Sequence, residues 1–273
     1  SISPKLSRFN NEILLNSKLF DKVSHVYNNK SQFDLDEEES RMVDEKYQEF
    51  ILNGALLENS KKEELKKIDE ELSKLSPQFS QNQLNSMNEF EYYTTDKTEL
   101  QGLPDSALEA AQHLAKSKDK KDGWLFNLQM TSMFPVLKYA NNRSLRQKFS
   151  EAYAKVATQG KFDNSEIIKK IATLRFERSK LLGFKNHAEY VLKKRMAEVP
   201  KKVFDFLDQF YEVSMPAAQN DFEELKKLAQ ETDNITDFQS WDAAYYSEKL
   251  IKLKFDFDSE EFRPYFKMEN VLD

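Results

Sequence analysis

A chain of 273 residues with 39% apolar residues, 21 Phe and 11 Tyr can build one large domain or two modest ones around a sizeable core, which excludes a disordered chain. Its 41 basic and 47 acidic residues leave a net charge of −6, with no basic tract long or aromatic-rich enough to follow a phosphate backbone, so nucleic acid is not an expected partner. Without cysteine there are no disulfides, thiolate metal sites or cysteine nucleophiles, as suits a reducing compartment.

Five glycines and seven prolines are few for this length, which disfavours turn-rich sandwiches and barrels and predicts a mainly α fold with at most a small β-sheet. The opening "SISPKLSRFNNEILL" lacks a basic region followed by an apolar stretch, so it does not read as a signal peptide; without a starting Met it reads as the cut or processed edge of a longer chain. In "EEESRMVDEKYQEFILNG" Met42, Val43, Tyr47, Phe50 and Ile51 fall at helical spacing, with acidic residues in the first turn and Gly54 as a stop. Leu65, Ile68, Leu72, Leu75 and Phe79 form a core-facing stripe continuing toward Leu84, with Pro77 expected to kink or break the helix.

"FEYYT" (Phe90 to Thr94) reads as a strand. "SALE" (Ser106 to Glu109) reads as a capping box, and "KSKDKKDG" (116 to 123) as a solvated loop and a possible sub-boundary. "WLFNLQM" predicts a strand with Trp124, Phe126, Leu128 and Met130 on one face. "DNSEIIKKIATLRFERSKLLGF" has Asn164 or Ser165 as cap, Ile167, Ile168, Ile171, Leu174 and Leu181 as the buried face and Gly183 as stop; "NHAE" (Asn186 to Glu189) reads as a second capping box. Val203, Leu207, Phe210 and Val213, then Phe222, Leu225 and Leu228, mark a helix bent or interrupted near Pro216. In "SWDAAYYSEKL" Trp241, Ala244 and Tyr245 share one helix side, while Asp242, Tyr246 and Lys249 lie on another. "KLKFDFD" alternates Leu253, Phe255 and Phe257 against charges, the pattern of a strand.

Motifs that carry chemistry are missing. The nearest glycines, Gly102 and Gly123, are too far apart for a phosphate loop, and no G-x-S-x-G elbow occurs. His25, His113 and His187 are dispersed, none belongs to a His-Glu-x-x-His helix, and His113 reads as a surface partner of Glu109 one turn earlier. No apolar run reaches the roughly 18–20 residues of a membrane helix, so no membrane is expected.

The ordered series "LPDSALEAA", "YANNRSLRQKFSEAY", "DNSEIIKKIATLRFERSKLLGF", "NHAEYVLKKRMA", "WDAAYYSEKL" and "FRPYFKMENVL" resembles the thimet-oligopeptidase and peptidyl-dipeptidase family of zinc metallopeptidases, most of all its oligopeptidase A branch. "LSRFNNEILLNSKLFDKV" and "LSPQFSQN" extend the resemblance over essentially the whole chain. The resemblance implies a two-lobed, channel-forming enzyme cleaving short peptides, in which a zinc-bound water attacks the peptide carbonyl and a glutamate acts as base. It also implies that the zinc ligands and that glutamate lie downstream of "MENVLD", so residues 1–273 would be the helical N-terminal and middle portion, with no catalytic or metal-ligating residue and no zinc of its own. Tyr245 and Tyr246 are the candidates for facing the substrate channel, and Trp241 is expected to pack. The rival expectation is a non-enzymatic helical module that binds peptides or proteins on the same scaffold. A cytoplasmic location is expected, with the periplasm left open. Phe262, Tyr265, Phe266, Met268, Val271 and Leu272 crowd a short terminal stretch, from which weak self-association is expected.

Overall fold

The computed structural model describes residues 2–120, 122–256, 259–262 and 265–269. The chain is mainly α-helical and divides into two compact units, one of Ser1–Asn82 with Asp163–Gln209, the other of Gln83–Phe162 with Phe210–Asp273.

The first unit opens with α1 (Ser3–Leu14), α2 (Ser17–Asn28) and α3 (Glu37–Leu52). The acidic run is a helix start, as its charges demand: Asp36 accepts from Glu39 N at 2.8 Å, Glu39 accepts in return from Asp36 N at 3.1 Å, and Glu37 to Glu39 fill the first turn. Gly54, at φ 92°, closes α3 with bonds from its own N–H to Ile51 O and from Ala55 N to Phe50 O. Phe20, Phe50 and Ala55 form the core between α2 and α3, with Tyr47 stacked on Phe20 and on Tyr27.

Helix α4 (Asn59–Glu89) buries Leu65, Ile68 and Leu75, with Leu72 and Phe79 half-buried and Leu84 exposed. It runs on through Pro77, which neither ends nor divides it; the ring is exposed, and a proline here forfeits only one backbone bond. In the same unit, α8 (Ser165–Leu181) is tied to α4 by Arg178 Nε donating to Asp69 Oδ1 at 2.7 Å. The expected apolar face of α8 is only half-buried, and Ile168 is 53% exposed. Asn164 precedes α8 but does not cap it, because its side chain is spent on α4, donating to Phe79 O and accepting from Asn82. Gly183, at φ 85°, ends the helix as expected, with Phe184 N bonded to Ser179 O. Asn186 caps the short α9 (His187–Leu192), but Glu189 accepts from Lys185 N, so the second capping box is completed one residue early.

In the second unit, β1 (Tyr92–Thr94) pairs antiparallel with β2 (Trp124–Phe126), Tyr93 opposite Leu125. Both strands are shorter than the sequence suggests: Leu125 and Phe126 are both buried, so β2 is not one-faced, and Met130 begins α6 (Met130–Tyr139). Helix α5 (Asp105–Ser117) starts after an extended Pro104, which places Ser106 inside the first turn and removes the expected capping box. The expected sub-boundary at 116–123 falls inside this unit, the last residues of α5 included. Phe149 of α7 (Arg143–Ala154) centres the core, meeting Phe90, Tyr92 and Phe126 edge to face, with Leu100, Leu128, Met133 and Val136 around it.

Helix α10 (Pro200–Asp233) continues through Pro216, so of the expected bend or interruption there the interruption does not occur. Helix α11 (Ser240–Phe255) extends over Lys252 to Phe255, where alternation suggested a strand. A helix already propagating through good helix formers such as Leu and Lys gains a bond per residue, and α11 ends only where Asp256 adopts φ 48°. Phe257 lies outside the described residues. A final short turn, α12 (Ser259–Phe262), follows.

Candidate functional site

Helix α11 packs on α6 and α7, and the polar groups of "SWDAAYYSEKL" converge at that junction. Asn142 caps α7 by accepting from Leu145 N at 3.2 Å, which places Arg143 in the first turn and Arg146 one turn further on the same face. Two arginines near a helix N-terminus are poorly placed for its dipole and need a carboxylate. Asp242, in the first turn of α11 and sealed from solvent, supplies it. It accepts from Arg143 Nε at 3.0 Å and Nη2 at 2.7 Å, from Arg146 Nη2 at 2.9 Å and from Gln239 N at 3.0 Å.

The remaining donors are also used. Arg143 reaches Asp237 through Nη1 at 3.1 Å, and Arg146 donates to Ala140 O at 2.8 Å while lying 4.0 Å over the Tyr245 ring. Burial by itself raises the Asp242 carboxyl, but the hydrogen bonds from Arg143 and Arg146 outweigh it and hold the group below the ordinary aspartate range. The hydrogen bond to Asp242 correspondingly pushes Arg143 up.

Tyr245 and Tyr246 are both buried. The Tyr245 hydroxyl donates to Asn141 Oδ1 at 3.0 Å, and that of Tyr246 to Asp233 Oδ2 at 2.8 Å. Lys249 also donates to Asp233 at 3.0 Å and lies over both rings. Burial, then the Asp233 hydrogen bond, pushes the Tyr246 phenol well above its ordinary value. Asp233 itself is raised by burial but lowered further by Lys249 and Tyr246, and ends below its ordinary value. Glu248 completes the junction, accepting from Lys138 at 3.1 Å and from the Tyr139 hydroxyl at 3.3 Å. Trp241 is half-buried, with its indole Nε1 enclosed and without a hydrogen-bond partner among the described residues. The two tyrosines thus sit in one junction, with their hydroxyls engaged inside the chain.

The sequence places Asp242 on a polar helix side without giving it a role, and neither Arg143 nor Arg146 stands out in it. The available signal was the pair of arginines at i and i+3 behind an asparagine cap. As for metal, His25, His113 and His187 lie on α2, α5 and α9, and among the described residues no group of three or more His, Asp or Glu is placed to hold an ion. The zinc ligand set implied by the resemblance does not fit these residues, and no chemical step is assigned to them. No helix among the described residues is long and apolar enough to cross a membrane.

The polar residues of this junction tie α11 to its helical neighbours within one α-helical scaffold. The sequence profile of Peptidase family M3 matches residues 136–273, the segment that contains this junction, and the chain belongs to that family. The chain is 39% identical over 250 residues to "Probable cytosolic oligopeptidase A" of Arabidopsis thaliana, covering 88% of this chain and 35% of that protein. It is 35% identical to "Oligopeptidase A" of Haemophilus influenzae, covering 98% of this chain and 40% of the relative. With "Dipeptidyl carboxypeptidase" of Escherichia coli it shares 28% identity over 99% of its length, again 40% of the relative. The chain therefore spans well under half the length of these relatives.

Proposed function

We propose that the chain is the helical part of a zinc-dependent peptidase whose full-length form hydrolyses short peptides, and that these 273 residues form channel wall and not chemistry. The observation that carries this reading is the Peptidase family M3 match over residues 136–273, together with relatives named oligopeptidase A and dipeptidyl carboxypeptidase. The Arg143–Asp242–Arg146 tie supports it, because Asp242 and Arg146 are sealed and all three charged groups are bonded within the chain, which fixes a wall but offers no free group to a substrate. On this geometry Tyr245 and Tyr246 hold α11 in place beside the channel and reach peptide only through the elements they position. The zinc ligands and the general base belong to polypeptide outside the chain, and the parent works in the cytoplasm, in keeping with the name of the Arabidopsis relative.

The test is to read the full coding sequence and to assay the full-length parent on short fluorogenic peptides and on a folded protein. Chelator-sensitive cleavage confined to the short peptides is expected. A full-length protein without a zinc motif, which binds peptides but leaves them intact, would replace this reading with that of a binding module.

A further inference from the structure

Helix α10 carries one apolar stripe that is buried only toward its C-terminal end. Tyr211, Met215, Ala218, Phe222, Leu225 and Ala229 follow one another at alternating steps of four and three residues, which keeps them on a single helix face. Only the C-terminal end is covered. Ala229 is fully buried with Tyr245 and Tyr246 and Leu225 packs against them, whereas Phe222, although it meets Phe238 edge to face at 5.3 Å, is still 47% exposed.

The N-terminal half is bare: Tyr211 is 61% exposed, and Met215 and Ala218 are exposed with it. The reason lies in α11, which runs back along α10 from Tyr246 and Lys249 at Asp233 to Lys254 at Glu224, and ends one residue later at Phe255. The covering helix stops about where the stripe does not.

We propose that the bare half, Tyr211, Met215 and Ala218, is the seat of a further helix from the part of the parent polypeptide outside these residues, a proposal that rests on the reading above. Length identifies the source: relatives that align to 98% or 99% of this chain are only 40% covered by it, so most of their polypeptide remains to be placed. The spacing identifies the form, since a four-three stripe is complementary to another helix carrying the same rhythm. Charge identifies the flanks. Glu212 and Asp221 lie on opposite edges of the stripe, and neither forms an ion pair among the described residues, so the seated helix carries lysine or arginine beside its apolar face.

Hydroxyl-radical footprinting of Tyr211 and Met215 in the 273-residue chain and in the full-length parent tests this directly. Oxidation of both is expected to be roughly tenfold slower in the parent. Exchanging both for aspartate should leave the thermal midpoint of the chain unchanged but lower that of the parent. Equal oxidation in the two proteins overturns the proposal. So does protection seen only in concentrated solutions of the chain and relieved by dilution, which would make a second copy the occupant. Neither readout depends on peptide cleavage: an inactive parent that protects the stripe would refute the peptidase reading and leave this one standing.

Discussion

Arg146 donates through Nη2 to Oδ1 of Asp242 at 2.9 Å, with both side chains sealed from solvent, and this bond joins α7 to α11. Their mutual attraction is offset by the cost of taking both charges out of water, so the pair contributes modestly as a whole but heavily when only one member is removed. Asp242→Asn is expected to lower unfolding stability by about 3–5 kcal/mol, as it strands the buried Arg146 guanidinium and leaves Arg143 only Asp237 as a carboxylate partner. Arg143→Lys, which keeps a charge but loses the two-pronged contact, is expected to cost about 1 kcal/mol. Urea unfolding of both variants checks the ranking.

The same carboxylate predicts a pH dependence. The folded values of Asp242 and Asp233 are both held below the unfolded one of about 3.9. Their stabilisation is therefore fully present above that pH and is lost as pH falls through the lower folded values. Thermal midpoints should be insensitive to these two groups near neutrality and should decline below about pH 4. The decline should be shallower in Asp233→Asn, with Tyr246 and Lys249 as the partners that lose their acceptor.

Two glycines separate backbone strain from steric clash. Gly102 and Gly183 have similar positive φ, 92° and 85°, but a β-carbon on Gly102 would lie 2.1 Å from the Tyr139 carbonyl oxygen, whereas nothing lies near Gly183. Gly183→Ala should cost about 1 kcal/mol from its left-handed backbone alone. Gly102→Ala should cost at least about 1 kcal/mol more, because the 139–141 turn that anchors Tyr245 must move. Chemical unfolding of the two variants measures the difference.

Local signals with a unique physical reading were legible in the sequence. The Asp36–Glu39 start of α3 and the Gly54 and Gly183 stops follow from charge and backbone conformation within a few residues. Elements decided by distant partners were not. Leu253 and Phe255 alternate like a strand yet continue a helix, and Asn164 looks like a cap yet bonds to Phe79 and Asn82 on another helix. The aromatic pair Tyr245 and Tyr246 stood out by composition, but its partners are Asn141, in the turn between α6 and α7, and Asp233 at the end of α10, and the arginines that fix Asp242 come from about a hundred residues earlier in sequence.

Exposed aromatic side chains near the end of the described chain predict its solution behaviour. Phe262 and Phe266 are exposed, and each large apolar side chain left in water forgoes on the order of 1.5–3 kcal/mol of burial. The 273-residue chain is expected to bind a hydrophobic dye and to associate weakly with rising concentration. Phe262→Ser with Phe266→Ser should reduce both, as read by dye fluorescence and sedimentation.

The most direct measurement is a side-by-side assay of zinc content and short-peptide hydrolysis for the 273-residue chain and its full-length parent. The parent should retain zinc after dialysis and cleave the peptide until a chelator is added, while the chain alone should do neither. Chelator-sensitive cleavage or one tightly held zinc per molecule in the chain alone would contradict the account, because its three histidines on three separate helices would then have to assemble a site.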